Sequence, residues 1–217
     1  MKPEARNLAL GILTRIKERE GTANKTKLLK LLYLADIESF RFSGETLTGF
    51  DWIFYLYGPW AAEYDALLKQ LETEDAIQID RWAKADIEGE RIAPQESTQL
   101  ERVIASMEVS FRVKHYVDTW ADRGVATLLD YVYFETEPMR DAMKMERLDF
   151  SKVSKEPPRP YRRTKSGTEP KDLRRLKARF AEEMKKLPSG RTGVSHEQAP
   201  YDAAFLEAIQ AFDEQEK

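Results

Sequence analysis

Residues 49–64, GFDWIFYLYGPWAAEY, carry seven aromatic side chains in sixteen positions and break at Gly58-Pro59. Large aromatics contribute most of their stabilisation by leaving water, so the run reads as a buried strand with a turn after it, with an exposed aromatic-lined site as the alternative. Leu47, Phe50, Trp52, Ile53, Phe54, Tyr55, Leu56 and Tyr57 form a short apolar run bounded by turn residues, which favours an extended segment. Period alone leaves a helix open as the alternative. Gly58 can take a positive φ that other residues avoid. Pro59 presets φ for a first helical turn, so Gly-Pro reads as punctuation that stops the strand and launches a helix over about residues 60–73. Tyr64, Leu67, Leu68 and Leu71 would be its buried side. Tyr57 and Trp60 are the aromatics expected to keep a polar edge at the surface.

The segments before this run are helical. Pro3 suits a first turn, and Leu8, Ala9, Ile12, Leu13 and Ile16 recur at helical spacing, which predicts a helix over 3–19 with Gly21 as its stop. A second helix is expected from Lys25 to Phe40, closed by Ser43-Gly44. Leu28, Leu31, Leu32, Ala35 and Phe40 form its stripe, and Leu29 and Leu34 widen it towards burial on more than one side.

After residue 75, AIQIDRW and GERIA alternate around Asp86–Gly89 as a small hairpin. A helix from Ser97 or Thr98 to about Arg112 would bury Leu100, Val103, Ile104, Met107 and Phe111, and Tyr116 and Trp120 extend it. Val125 to Tyr133 predicts another helix ending before Glu137-Pro138, with a short helical piece reaching Leu148. The expected fold is therefore α+β and mostly α-helical: a compact helical domain with a short extended segment and a small β-hairpin, over residues 1–150.

Beyond it the composition changes. PPRPYRRTKSGTEP, within a 151–170 segment, reads as a Pro-rich basic linker. Residues 171–217 read as a helical extension, with Leu173, Leu176, Phe180, Met184 and Leu187 on one stripe and Tyr201, Phe205, Ile209 and Phe212 on the next. Neither stripe supports a stable helix in water without a surface to cover it.

The net charge of −3 hides an asymmetry. Residues 1–150 hold 20 Lys+Arg against 27 Asp+Glu, residues 151–191 hold 14 against 5, and residues 192–217 hold 1 against 6. A basic segment between two acidic ones either binds nucleic acid or lies against its own acidic body. If it binds nucleic acid, weakly, Arg162, Arg163, Lys165, Arg174 and Arg175 within 159–186 are the residues to do so. The order helix, helix, strand, helix, hairpin resembles a winged-helix outline. The helix that would enter the groove, however, offers Glu63, Asp65, Glu72, Glu74 and Asp75 against Lys69, and DNA repels that sign.

The chemistry of catalysis is thinly represented. With no cysteine and two histidines, His115 and His196, there is no thiolate zinc site, cysteine nucleophile or clustered ligand set. No nucleophile elbow, P-loop or dinucleotide fingerprint occurs. Acidic stretches such as ETED read as solvated helix ends, with a divalent-metal nuclease as the remaining enzymatic alternative. No run of about 18 apolar residues suggests a membrane span.

KTKLLKLLYLADIESF, then a glycine, then a segment closing on YLYGPW and a Leu-rich helix, resembles the Panacea domain of SocA-like antitoxins. The matching positions are Lys27, Leu28, Lys30, Leu31, Leu32 and Tyr33, then Gly44, then Tyr57, Gly58 and Pro59. The resemblance is strongest over 25–72 and extends to about residue 140. Where many relatives carry a histidine near the end of the domain, this chain reads LLDYVYFETEPM. The resemblance implies a cytoplasmic bacterial or phage protein that neutralises a neighbouring toxin by direct binding, with no catalysis and no cofactor. Under that reading Tyr201, Phe205, Ile209 and Phe212, with Trp60, are the residues expected to bind the partner.

Overall fold

A computed structural model describes residues 1–56, 58–84 and 87–155. Tyr57, the turn residues Ala85 and Asp86, the expected linker from residue 156 onward and both stripes of the extension lie outside the described residues.

Helix α1, Glu4–Glu18, buries the expected face: Leu8, Ala9, Ile12, Leu13 and Ile16 are at most 2% exposed. Its ending differs from expectation. Glu20 takes the left-handed conformation (φ 56°), and Gly21 N–H bonds back to the Ile16 carbonyl at 2.9 Å. Gly21 is instead a close-approach residue, since a Cβ there would lie 2.3 Å from the Ala121 carbonyl oxygen.

Helix α2, Lys25–Ser43, is the axis of the molecule. Asn24 caps it by accepting the Lys27 N–H at 2.8 Å, and Gly44 closes it at φ 76°. It is buried on nearly every side and packs on α1 and on elements further along the chain.

The aromatic run forms a strand, as expected, but Gly-Pro does not launch a helix from it. β1, Ile53–Tyr55, turns back on β2, Gly58–Trp60, with Tyr55 opposite Gly58 and Ile53 opposite Trp60. Gly58 has φ 126°, a conformation open to glycine, and lets the chain reverse. Pro59 is tolerated because β2 is an edge strand, where a missing N–H breaks no ladder bond. Trp60 is 3% exposed and stacks against Tyr55, with ring centroids 5.5 Å apart, so it is a core residue and not a surface edge. The following helix α3, Glu63–Thr73, begins later than expected and buries Tyr64, Leu67, Leu68 and Leu71.

β3, Ile77–Lys84, and β4, Ile87–Pro94, form the expected hairpin. It is tied to α1 and α2 by the Ile92 N–H bond to Ala23 O, 2.8 Å.

The single helix expected from residue 97 is two. α4, Leu100–Val103, stops at Ile104, and α5, Met107–Trp120, restarts with Ser106 as its cap. The break resets the helical phase. Val109, Ser110, Val113, Val117 and Trp120 face inward, and Met107 and Phe111, expected in the core, are 87% and 72% exposed.

Helix α6, Val125–Glu135, and the short α7, Glu137–Arg140, follow. The expected helical piece reaching Leu148 stops at Arg140, and residues 145–148 bond to β1 instead. Met145 N–H bonds to Phe54 O at 2.7 Å, Phe54 N–H to Glu146 O at 2.8 Å, and Leu148 N–H to Trp52 O at 2.8 Å. The free edge of β1 is a row of backbone groups that must be paired once buried, and this segment pairs them. A 3-10 turn, Phe150–Lys152, brings the chain to Val153, which is 8% exposed.

Candidate functional site

The family-like motif residues of α2 carry polar tips at a spacing that sends each to a different neighbour. Lys27 Nζ donates to the Ala121 carbonyl, 3.1 Å, just past the end of α5, where a cation meets the negative end of the helix dipole. One turn on, Lys30 Nζ donates to the Pro59 carbonyl at 2.6 Å. Gly58 faces the same ammonium, its absent Cβ 3.7 Å from Nζ. Tyr33 OH meets Thr136 Oγ1, 3.2 Å, at the α6–α7 junction, and its ring stands edge-on to Trp52. Leu28, Leu31 and Leu32 fill the hydrophobic faces between.

Two further α2 residues continue the pattern, and sequence reasoning did not single them out. Asp36 is wholly buried and accepts from Leu47 N (2.7 Å), Thr48 N (2.8 Å), Trp52 Nε1 (2.7 Å) and Thr48 Oγ1. Glu38 is 1% exposed and receives Arg41 Nε at 3.3 Å and the Tyr116 hydroxyl at 3.3 Å, with Arg112 Nη1 3.6 Å away. Arg41 also forks onto Glu137, at 2.8 and 3.2 Å, and donates to the Ser154 carbonyl. Charged residues inside a nominally apolar stripe were the available signal.

Burial sets the proton chemistry here. It holds the Lys30 ammonium down at about 7 and Lys27 at about 8. It pushes the Asp36 carboxyl up to about 6 against four donated hydrogen bonds, and raises the Tyr33 phenol. For Glu137 burial is the largest influence and acts upward, but the Arg41 hydrogen bond and charge together with backbone N–H donors leave it below its ordinary range. Among the described residues no group of three or more His, Asp or Glu side chains could hold a metal ion.

The motif therefore ties α2 to β2, α5 and the α6–α7 junction from within. The surface presents something different. Beside the α4–α5 break lies a cavity of about 480 Å³, lined by Ile104, Met107, Ser110 and Phe111 with Glu101 and Asp118 among the polar residues around them. Met107 and Phe111 are one turn apart on the same exposed face. Ser110 between them is 2% exposed, and its hydroxyl has no hydrogen-bond partner.

The structure brings Lys30 together with Gly58 and Pro59, and places Leu28, Leu31, Leu32 and Trp60 in one core. Tyr57, Tyr201, Phe205, Ile209, Phe212, Arg162, Arg163, Lys165, Arg174 and Arg175 lie outside the described residues. Among the described residues no helix is long and apolar enough to cross a membrane.

The comparisons agree with the motif. No curated protein and no solved structure matches the chain. The family model for the antitoxin SocA-like, Panacea domain matches residues 28–136, half of the chain, from the first turn of α2 to the Thr136 that holds Tyr33. The chain belongs to the SocA-like antitoxin family, with residues 28–136 its Panacea domain.

Proposed function

We propose that this protein is the antitoxin of a toxin–antitoxin pair and neutralises its protein toxin by direct binding, in the cytoplasm of a bacterium or during phage infection. The observation that carries the reading is the family match over residues 28–136, which makes a toxin–antitoxin role the expected one. The interior arrangement supports it: the polar motif residues are engaged in holding elements together, which suits a rigid binding module and involves no catalytic step. In this reading the stripe of Tyr201, Phe205, Ile209 and Phe212 supplies partner specificity, because aromatic anchors on one helix face dominate helix-in-groove binding.

This reading expects a toxin-like gene beside this one, and co-expression of the two is the test. The full chain should restore growth and co-purify with the toxin at a defined ratio. Phe205→Ala with Phe212→Ala should abolish both while leaving the melting temperature unchanged. A full chain that neither protects nor co-purifies rejects direct neutralisation, and a double variant that protects fully moves the binding surface off the extension.

A further inference from the structure

We propose that the groove between α4 and α5 is the docking site of this chain's own basic segment, Leu173–Leu187. The groove asks for an occupant. Met107 and Phe111 stand exposed at i,i+4 spacing, and between them the buried Ser110 hydroxyl lacks a partner. Hydrophobic side chains so arranged match the i/i+3/i+4 stripe of an amphipathic helix. Residues 173–187 have that stripe in Leu173, Leu176, Phe180, Met184 and Leu187, and a helix of this length needs a surface to exist.

The described chain ends at a point tied to α2 and, through it, to α5. The Ser154 carbonyl is held by Arg41, Arg41 pairs with Glu38, and Glu38 faces Arg112 on α5, the residue after Phe111. The seventeen residues from 156 to 172 reach on the order of 50 Å when extended, several times the radius of gyration of about 15 Å expected for a body this size. A tether that short keeps the segment at high effective concentration beside the groove.

Charge chooses between the two stripes of the extension. Residues 1–155 hold 22 Lys+Arg against 27 Asp+Glu, and residues 171–187 hold 7 against 3. Residues 192–217 hold 1 against 6, the same sign as the body. The basic stripe is attracted and the acidic one is not. The groove itself is close to charge-balanced, since Glu101 is paired with Lys114 and Asp118 with Arg15, so the attraction comes from the body as a whole and the groove supplies the apolar seat. Docking of the basic stripe leaves Tyr201–Phe212 free, so the inference stands whether or not the toxin binds there.

The absence of cysteine makes the test direct. His115→Cys places a single thiol at an exposed position on the groove wall of the full chain and leaves Met107 and Phe111 intact. Docking should slow its reaction with a thiol reagent about tenfold, equivalent to about 1.4 kcal/mol, relative to the same protein carrying Leu176→Asp and Phe180→Asp. Met107→Asp with Phe111→Asp, both on the surface, should release the thiol equally while circular dichroism and melting stay unchanged. Equal labelling in all three proteins overturns the proposal. So does protection that grows with protein concentration, which assigns the groove to a second copy, and so does protection relieved by Phe205→Asp with Phe212→Asp instead.

Discussion

Lys30 is where α2 and the β1–β2 hairpin hold one another, and its ammonium is fully desolvated. Burial holds its pKa at about 7, against an ordinary 10.5. Unfolding returns it to the ordinary value, so between about pH 7 and 10.5 the unfolded chain binds more protons than the folded one. Stability therefore rises with pH through that window, by up to about 1.4 kcal/mol per pH unit, and is lost as pH falls towards 7. From pH 7.5 to 9.5 Lys30 alone contributes about 2 kcal/mol. Lys27, held at about 8 by burial, adds to the same slope over the upper part of the range.

Replacing Lys30 by Met keeps the stem's volume and removes both the titrating group and the donor to Pro59 O. Urea denaturation at pH 7.5, 8.5 and 9.5, at fixed ionic strength, measures the outcome. The native chain should gain stability at each step, and Lys30→Met should keep half of that gain or less. At pH 9.5 the variant should be less stable than the native chain by about 1–3 kcal/mol, the cost of an unmade bond to a buried carbonyl. Parallel pH profiles for the two proteins would refute the argument, because the slope would then arise elsewhere.

Gly58→Val should destabilise by more than about 1 kcal/mol, since a β-branched residue at φ 126° is strained, and thermal melts showing no loss would remove that role. Asp36→Ala should cost about 3 kcal/mol or more, because it strands the Leu47 and Thr48 amides and the Trp52 indole N–H; a midpoint in urea near the native one would count against the cluster. Ending the chain at residue 150 should give a less stable body than ending it at 155, by about 1–3 kcal/mol, since the shorter form loses buried Val153 and the Ser154 acceptor of Arg41; indistinguishable melts would place the boundary at 150. With the basic segment seated on the body, gel shifts should show weak nucleic-acid binding that falls steeply with salt, and tight sequence-selective binding would contradict that seating.

Most of the architecture was legible because it rests on periodicity. The stripes of α1, α2, α3 and α6 and the alternation of the β3–β4 hairpin place those elements close to where they lie. The misreadings share a cause, which is that a local signal had two meanings. Pro59 fits a first helical turn and an edge strand equally well, and the free carbonyl that Lys30 needed selected the strand. Ile104 continues an apolar stripe from Leu100, yet Ser106 can cap a new helix, and the restart turned Met107 and Phe111 outward. Residues 145–148 were drawn into extended pairing by the exposed edge of β1, which no local pattern announces. The cavity beside α5 was illegible for the same reason, since it exists only where the phase of the helix is broken.

The roles of Lys27, Lys30 and Tyr33 bear on how far a family motif identifies a partner. Each spends its polar tip on an internal acceptor: the end of α5, the hairpin, and the α6–α7 junction. A toxin could touch these groups only by displacing elements that they hold, at a cost of several buried hydrogen bonds. Lys27, Lys30 and Tyr33 of the family signature thus fix the relative positions of the helices, and under the proposed function recognition falls to groups outside the signature. Under the proposed function those groups are the stripe Tyr201, Phe205, Ile209 and Phe212. On that reading two members sharing the α2 motif can bind unrelated toxins, and exchanging residues 192–217 between such members should transfer toxin specificity without altering the stability of the body.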